Sequence, residues 1–316
     1  MNANIPTTDE VRRFIMENHP VRGQWVYLSD AWRDLRAHRD YPGPVRDLLG
    51  QAVVASVLLA ATLKFRGTLT LQLQGSGAVS LLVAQCTNDY RIRAVARFDE
   101  KKVEGMAAML DGEDVNAEVF RALVGEDGRI VVTVESEDLG ARYQGIVPLT
   151  GASSLEGALE AYFASSEQLP TRVRLVADAS RGAGLLLQKM PSGDKGATED
   201  AQEQAAWEAA ANGLKSLSPA ELLSSPIEQL LERGFSQHEL RLFEGVPVQF
   251  QCRCSHERVA EVLTVLGQNE VREVLKTEGA VTVTCEFCNR PYRFDAVDVE
   301  MLFATQSGKP PSQVLH

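Results

Sequence analysis

The pattern of apolar and polar positions predicts several strands in the first two thirds of the chain. In residues 69–74 leucine alternates with threonine or glutamine, and a second apolar run follows at residues 79–84. Residues 75–77 read Gly-Ser-Gly and separate the two runs, so this stretch predicts a β-hairpin with a glycine-rich turn. Residues 130–134 and 172–178 contain β-branched side chains and predict further strands.

Helical patterns alternate with these strands. A turn at residues 40–44 precedes a long apolar segment, which predicts a helix that runs to Leu63. Ser153 and Glu156 have the spacing of a capping box, which predicts a second helix from there to Phe163. Strands and helices alternate without a regular βαβ repeat, so the sequence predicts an α+β fold with a mixed sheet rather than a doubly wound one.

The composition changes along the chain and divides it into three predicted parts. Residues 1–191 form an N-terminal mixed α/β domain. Residues 192–246 carry four Lys or Arg and ten Asp or Glu, and their apolar side chains recur at helical spacings. These apolar stripes are too thin to fold alone, so we expect a helical, conditionally stable linker that depends on tertiary partners. Residues 247–316 are predicted to form a small C-terminal α+β module.

The C-terminal module has a pattern of its own. Residues 248–254 alternate in a way that predicts a strand with the first two cysteines of the module on one face. Two helices are predicted next, one capped by Ser255 and ending at Gly267, and one that stops near Gly279. Residues 281–294 predict a hairpin whose turn holds the last two cysteines.

Four cysteines of this module carry the candidate chemistry. Cys252 and Cys254 form a C-x-C pair, and Cys285 and Cys288 form a C-x-x-C pair after a gap of thirty residues. Four thiolates brought together by folding are the ligands of a closed structural Zn²⁺ site, so we predict one Zn²⁺ per chain on these side chains. A redox dithiol and unpaired buried thiols are the alternatives. His256 is an alternative ligand, although we expect it in the first turn of a helix.

The charge of the chain bears on its partners and its compartment. The formal net charge is −11, and residues 246–316 carry seven basic against nine acidic side chains. A zinc ribbon that binds nucleic acid would need a basic surface, so we expect no nucleic-acid partner.

Polar residues interrupt the most apolar stretch, 48–65, and the N-terminus lacks the pattern of a secretion signal, so we expect no membrane span. Cys86 lies in an apolar run and is predicted to be a buried thiol, and clustered reduced cysteines favour a cytoplasmic location.

An enzyme within residues 1–191, with a purely structural zinc site, is the alternative function. No G-x-S-x-G, H-E-x-x-H or P-loop motif occurs there, so we predict no catalytic residue. His19 and His38 lie near predicted turns without an evident nucleophile, and Glu167 and Gln168 follow a helix with a structural role. A thioredoxin-like oxidoreductase is disfavoured, because its C-x-x-C would open a helix after a strand.

Several blocks of sequence resemble the heat-shock protein 33 family, the redox-regulated molecular chaperones. The family's C-terminal signature corresponds to CRC at 252–254 and to CEFCNRPY at 285–292. Residues 38–82, from HRDYPGPVRDLLG to GSGAVSLL, resemble the family's core helix and the hairpin that follows it. YFASSEQLPT at 162–171 and GLLLQKMP at 184–191 resemble its later motifs, so the resemblance covers nearly the whole chain.

The resemblance implies a cytosolic, ATP-independent holdase that is not an enzyme. In the reduced protein, Zn²⁺ would be held by Cys252, Cys254, Cys285 and Cys288. Oxidative stress under unfolding conditions would form the local disulfides Cys252–Cys254 and Cys285–Cys288, release zinc, and unfold the module and the linker. The exposed apolar surface would bind unfolding client proteins, and the oxidised protein would form a homodimer. Thiol reductants would reverse the switch, and clients would pass to ATP-dependent foldases.

Overall fold

The structure is a computed structural model that describes residues 8–106, 116–137, 141–191 and 197–304. The chain divides into two compact units, Met1–Gln251 and Cys252–His316. Helices and strands are mixed in both units, which confirms the predicted α+β class.

The first unit contains most of the secondary structure. Its elements in chain order are β1 (Glu10–Met16), β2 (Val21–Leu28), α1 (Asp30–Arg36), α2 (Gly43–Thr62), β3 (Gly67–Gln74), β4 (Val79–Thr87), β5 (Arg91–Phe98), α3 (Glu100–Gly105), α4 (Ala117–Val124), β6 (Arg129–Ser136), β7 (Ala141–Pro148), α5 (Leu155–Tyr162), β8 (Thr171–Ala177), β9 (Gly182–Lys189), α6 (Ala197–Ser216), α7 (Pro219–Ser224), α8 (Ile227–Phe235), β10 (Leu240–Leu242), β11 (Val246–Pro247) and β12 (Gln249–Phe250). A π-helical turn, Phe163–Glu167, follows α5 directly.

Two sheets enclose the core of the first unit. One sheet has the order β10-β1-β2-β9-β8, with β11 also paired to β1, and the other has the order β12-β5-β4-β3-β6-β7. Neighbouring strands are antiparallel except for β12 and β5, which run parallel. Helix α2 packs against strands of both sheets, and its side chains form the centre of one large apolar cluster.

The predicted hairpin and long helix are both confirmed. Strands β3 and β4 pair antiparallel around the Gly75–Gly77 turn, and the alternating leucines Leu69, Leu71 and Leu73 are fully buried. Helix α2 begins at Gly43, within the last two residues of the predicted turn, and ends one residue before Leu63. The predicted strands at 130–134 and 172–178 correspond to β6 and β8.

The predicted cap of α5 is wrong by one residue. Ser154, not Ser153, is the N-cap, and its hydroxyl accepts a hydrogen bond from the backbone N–H of Gly157. Glu156 does not close a capping box, because its carboxylate accepts the backbone N–H of Leu175 at 2.6 Å instead. A carboxylate near the helix start therefore ties α5 to strand β8.

Helix α2 passes a simple test for a membrane span but behaves as a core helix. Within the part of the chain that the structure describes, it is the one helix long and apolar enough to cross a membrane by length and composition. However, 78% of its most apolar window is buried inside the protein. Such burial is typical of the central helix of a globular unit.

Helices α6, α7 and α8 lie within the predicted linker of residues 192–246 and cover one face of the first sheet. The covered face presents nine buried side chains, Phe14, Met16, Val21, Trp25, Tyr27, Val176, Ala183, Leu185 and Leu187. The helices and the connection between α6 and α7 contribute ten, Trp207, Ala210, Leu214, Leu217, Leu222, Leu223, Ile227, Leu230, Leu231 and Phe235. We call these nineteen residues the linker–sheet cluster. Residues 192–196, at the start of the predicted linker, lie outside the described residues.

The second unit is small. Its elements are α9 (His256–Leu266), α10 (Gln268–Glu278), β13 (Val281–Thr284), β14 (Pro291–Phe294) and α11 (Ala296–Ala304). The two predicted helices and the hairpin are confirmed, whereas α11 was not predicted. Eight described side chains form its buried cluster, Val259, Leu263, Val271, Val281, Tyr292, Phe294, Val299 and Phe303.

The predicted strand over residues 248–254 is mostly wrong. Only Gln249 and Phe250 form a strand, β12, and it pairs with β5 of the first unit. Val248 and Phe250 belong to the large cluster around α2. Their apolar alternation therefore reflects the core of the first unit, and the segment that holds the first cysteine pair has no regular secondary structure.

Candidate metal centre

The first cysteine pair lies in a short irregular segment at the start of α9. Ser255 caps that helix as predicted, since its hydroxyl accepts the backbone N–H of Arg258 at 3.2 Å. The guanidinium of Arg258 donates back to the carbonyl of Arg253 at 2.6 Å, between the two cysteines. Both contacts fix the C-x-C segment to the first turn of α9.

The second cysteine pair lies in the tight turn between β13 and β14. The backbone N–H of Cys285 donates to the carbonyl of Arg290 at 2.9 Å, and the N–H of Asn289 donates to the carbonyl of Cys285 at 2.8 Å. Asn289 closes the turn with a φ of 54°, a left-handed conformation that asparagine tolerates better than most residues. The hairpin thus presents both thiols at one end.

Folding brings the four sulfurs of these two pairs together. The Sγ atoms of Cys252, Cys254, Cys285 and Cys288 all lie within 4.8 Å of one another. Cys252 lies 3.4 Å from Cys254 and 3.6 Å from Cys285, and Cys254 lies 3.4 Å from Cys288. A tetrahedral zinc with bonds of about 2.3 Å would place its sulfur ligands about 3.8 Å apart. The cluster is therefore compatible with a zinc site.

The surroundings of the cluster favour a thiolate at one of the four cysteines. The hydroxyl of Tyr292 donates a hydrogen bond to Cys254 Sγ at 3.0 Å. Burial opposes ionisation of Cys254, but the hydrogen bonds from Tyr292 and from the neighbouring thiols outweigh it and lower the pKa of Cys254 to about 7. Burial raises the pKa of Cys252 and of Cys288. A bound cation would therefore have to displace the protons of Cys252 and Cys288.

The composition of the cluster decides which metals it suits. Its donors are four sulfurs and no carboxylate, and soft thiolate ligands in a compact group select zinc and similar ions over magnesium or calcium. His256 does not join the cluster as a ligand. Its ring lies 4.3 Å from the ring of Phe294, in the first turn of α9 as expected.

The other residues that the sequence singled out belong to the first unit and are not members of the sulfur cluster. Cys86 is fully buried in the core of the first unit, as predicted. His19 contacts His238, with 5.7 Å between the ring centroids, and His38 contacts Phe250. Glu167 accepts hydrogen bonds from two tyrosine hydroxyls at 3.0 Å each, an arrangement that sequence reasoning did not foresee.

Sequence reasoning also missed the polar contacts that support the cluster. Tyr292 was predicted only as a strand residue, yet its hydroxyl reaches a sulfur 38 positions earlier in the chain. A tyrosine two residues beyond a cysteine turn, on the buried side of the return strand, is the signal that could have suggested this contact. The hydrogen bond from Arg258 to the carbonyl of Arg253 could not be predicted from the sequence in this way. Every residue has a backbone carbonyl, so the residue type of the acceptor gives no indication of such a contact.

The fold and the cysteine cluster define a two-unit α+β protein with a candidate zinc centre in its smaller unit. A family model described as Hsp33 protein matches residues 9–295 of the chain. The match covers nearly the whole sequence and includes all four clustered cysteines. The chain therefore belongs to the Hsp33 family, which confirms the resemblance drawn from its motifs.

Individual relatives agree with this assignment. The protein named 33 kDa chaperonin of Nitrosococcus oceani is 40% identical over 308 residues, which cover 98% of this chain and 99% of that protein. The 33 kDa chaperonin of Methylobacillus flagellatus is 39% identical over 310 residues, with the same shares covered. The crystal structure of the 33 kDa chaperonin from Thermotoga maritima superposes with a TM-score of 0.75 over 95% of this chain and 100% of that chain. Its sequence is 22% identical, so this last likeness shows a common fold.

Proposed function

We propose that this protein is a cytoplasmic, redox-regulated, ATP-independent holdase chaperone and not an enzyme. In the reduced state it would bind one Zn²⁺ through the thiolates of Cys252, Cys254, Cys285 and Cys288. The observation that carries the proposal is the meeting of these four sulfurs within 4.8 Å, from segments thirty residues apart. Membership of a family whose curated relatives are named chaperonins supports the protein-binding role.

The small core of the second unit explains why its metal ligands would matter. Its buried cluster has eight described side chains, and three apolar residues of α9, Val262, Val265 and Leu266, are more than half exposed. A unit of this size gains little from apolar burial. A structural zinc contributes roughly 10–16 kcal/mol of apparent binding free energy in small peptides, more than such a core supplies. The sulfurs would therefore hold the C-x-C segment and the hairpin together.

Oxidation of the thiolates would remove this support. Each disulfide forms when two thiolates pass two electrons to a peroxide, and the expected pairs are Cys252–Cys254 and Cys285–Cys288. A disulfide brings its sulfurs to about 2 Å and leaves no thiolate to bind the metal. The two loops contain one and two residues, so they restrain the unfolded chain very little. A link between distant segments is thus replaced by two local links, and the unit would unfold.

The linker–sheet cluster is the surface that clients would bind. Helices α6 to α8 cover nine buried apolar side chains of the first sheet, including Trp25 and Tyr27. Release of these helices would expose a contiguous apolar face, and such faces bind other proteins or cause association. We propose that unfolding clients and a second oxidised copy bind there. Reduction by thiols would restore the cover and hand the clients to ATP-dependent foldases.

The acidic character of the chain supports protein clients over other partners. The formal net charge is −11, and a surface that binds a phosphate backbone or an anionic membrane would need clustered basic side chains. We therefore propose no nucleic-acid and no membrane partner.

A paired measurement of metal and activity tests the proposal. The reduced protein should contain about one zinc per chain and suppress little aggregation of a chemically denatured test protein. Peroxide with mild heat should release the zinc and produce full suppression without ATP, and thiol reductant with added zinc should reverse both. Full suppression by the reduced, zinc-loaded protein would contradict the switch. Absence of zinc from reduced, folded protein would contradict the metal site.

A further inference from the structure

A cavity in the first unit is not used by the proposed chaperone function. Its volume is about 400 Å³, within the range of small-molecule sites. It lies between the C-terminal end of α2, the strands β6 and β7, and the π-helical turn after α5. Most of its lining is apolar and includes Leu59, Leu69, Val132, Val134 and Phe163.

Arg22 lines this cavity, and buried neutral groups hold its guanidinium in place. Arg22 donates through Nε and Nη2 to Gln188 Oε1, at 3.1 and 2.7 Å. The amide of Gln188 in turn donates to the hydroxyl of Thr171 at 3.4 Å, and both of these side chains are only 1% exposed. The guanidinium is therefore fixed by partners that cannot themselves reach solvent.

No carboxylate among the described residues pairs with Arg22. Its remaining hydrogen bond is a long one of 3.4 Å to the carbonyl of Thr62, and its Nη1 atom makes none to a described residue. Burial and the nearby charge of Arg13 both lower the pKa of Arg22. A half-buried arginine normally has an anionic partner, because a desolvated charge without one is costly.

The carboxylate of the cavity lining, that of Glu167, lies at the exposed rim and already accepts hydrogen bonds. Glu167 Oε1 accepts the hydroxyls of Tyr143 and Tyr162 at 3.0 Å each, and these hydroxyls lie 3.1 Å from one another. Lys64 is a second, exposed cation of the lining. The cavity therefore combines an apolar body, a fixed cation and a carboxylate that is already hydrogen-bonded.

We propose that this cavity binds a small amphiphile with one carboxylate and an apolar chain, with its carboxylate on Arg22. Arginine recognises carboxylates through paired N–H donors, and the apolar lining suits an alkyl chain. Glu167 near the rim disfavours a second negative charge, so a monocarboxylate should bind better than a dicarboxylate of equal length. This site needs neither the cysteine cluster nor the release of the linker.

Calorimetric titration of the full-length, reduced, zinc-loaded chain tests the site. Dodecanoate, below its micelle concentration, should bind saturably at one molecule per chain. Dodecan-1-ol, dodecylammonium and dodecanedioate should each bind at least about tenfold more weakly than dodecanoate. Loss of a hydrogen bond to a charged group typically lowers affinity by about this factor or more. Equal binding of the alcohol, or binding of many molecules per chain without saturation, would overturn the proposal.

Two variants and a control separate ligand binding from a structural role of Arg22. Arg22→Gln should weaken dodecanoate binding at least tenfold and leave the weak binding of dodecan-1-ol unchanged. Ser136→Trp places a large side chain against the cavity, keeps Arg22, and should abolish binding of both. Arg33→Gln changes an exposed arginine outside the cavity and should bind dodecanoate as the unmodified chain does. Should Arg22→Gln fail to fold, Ser136→Trp decides, and unchanged affinity in either folded variant would refute the site.

Discussion

The linker–sheet cluster and the second unit bury their apolar side chains to very different extents. The first joins nineteen described residues and includes two tryptophans, whereas the second has eight and leaves Val265 of α9 87% exposed. Packing alone can account for the first region, because each large buried side chain contributes on the order of 1.5–3 kcal/mol. We expect the second region to depend on the metal ion that its four sulfurs would bind. The proposed change in thiol chemistry would therefore act directly on the second unit, and on the linker–sheet cluster only through the loss of that unit.

Replacement of two of the clustered cysteines should have the largest of the predicted effects, because it acts on the unit with the smaller buried cluster. In the double variant Cys285→Ser, Cys288→Ser, we expect the zinc content to fall from about one per chain to near zero. Residues 252–304 should then lose protection from hydrogen exchange, because the ligands would have supplied more free energy than the small core does. Metal analysis together with hydrogen exchange by mass spectrometry measures both effects.

The fifth cysteine provides a matched control for that variant. Cys86 is fully buried in the first unit and lies far from the cluster in sequence, so Cys86→Ala should keep one zinc per chain. It should cost at most a few kcal/mol of stability in the first unit. A double variant that kept its zinc and its protected second unit would show that the four sulfurs are not the ligands.

The linker helices can be released in a way that leaves the sulfurs untouched. Phe235 of α8 is 1% exposed and its ring lies 6.0 Å from that of Phe14. We expect Phe235→Ala to destabilise the linker–sheet cluster by about 3–5 kcal/mol, the usual cost of removing a buried phenyl ring. The reduced, zinc-loaded variant should then bind more of an apolar dye and suppress aggregation partially. Dye fluorescence and an aggregation assay measure these changes.

A neighbouring residue on the same helix serves as the control. Glu232 is exposed on α8, and Glu232→Ala should leave dye binding and activity unchanged. If Phe235→Ala also released zinc, the two regions would depend on one another more strongly than their separate clusters indicate. If the variant exposed no apolar surface, the linker helices would not be the cover of the client surface.

The elements that the sequence predicted correctly are those whose geometry is set by residues close together in the chain. Period-two alternation identified the β3–β4 hairpin, and capping and glycine signals located α9 and α10, because local geometry sets these elements. Gly267, with a φ of 104°, ends α9 in a conformation that other residues rarely adopt. The cysteine cluster was predictable as well, since spacing and residue type restrict its chemistry.

Tertiary partners decided the features that the sequence did not predict. Residues 248–250 alternate as a strand should, but only the folded sheet decides that β12 pairs with β5. Ser153 and Ser154 are equally suitable N-cap residues by their local sequence. Ser154 is the cap in the structure, where Glu156 accepts the N–H of Leu175 on strand β8 and does not close a capping box with Ser153. The contact of Tyr292 with Cys254 joins residues 38 positions apart and likewise follows from the fold.

Removal of the contact between Tyr292 and Cys254 should have an effect of intermediate size on metal binding by the second unit. Tyr292→Phe removes the hydroxyl that donates to Cys254 Sγ and changes little else on the buried face of β14. Groups that support metal ligands typically contribute 10–100-fold to metal affinity, so we expect a loss in this range. Competition with a chromogenic chelator measures it. Tyr41→Phe, which removes a hydroxyl that accepts the N–H of Ala96 in the first unit, should leave zinc affinity unchanged.

The smallest predicted effect concerns an ion pair that joins the linker to the first sheet. Arg12 Nη1 on β1 donates to Glu228 Oε1 on α8 at 2.7 Å, and the glutamate side chain is 60% exposed. We expect Glu228→Gln to destabilise the packed linker by only about 0.2–1 kcal/mol, as for other exposed pairs. Arg12 keeps its second contact, an Nε hydrogen bond of 3.1 Å to the carbonyl of Phe243.

Salt separates this ion pair from the apolar packing beside it. At ~1 M salt the Debye length falls to about 3 Å, so the difference between Glu228→Gln and the unmodified chain should nearly vanish. The effect of Phe235→Ala should persist at that salt concentration, because apolar burial does not depend on screening. Hydrogen exchange of α8 at low and high salt measures both. A salt-independent effect of Glu228→Gln would mean that Glu228 acts through packing of its aliphatic stem, and charge would then have no measurable part in holding the linker on the sheet.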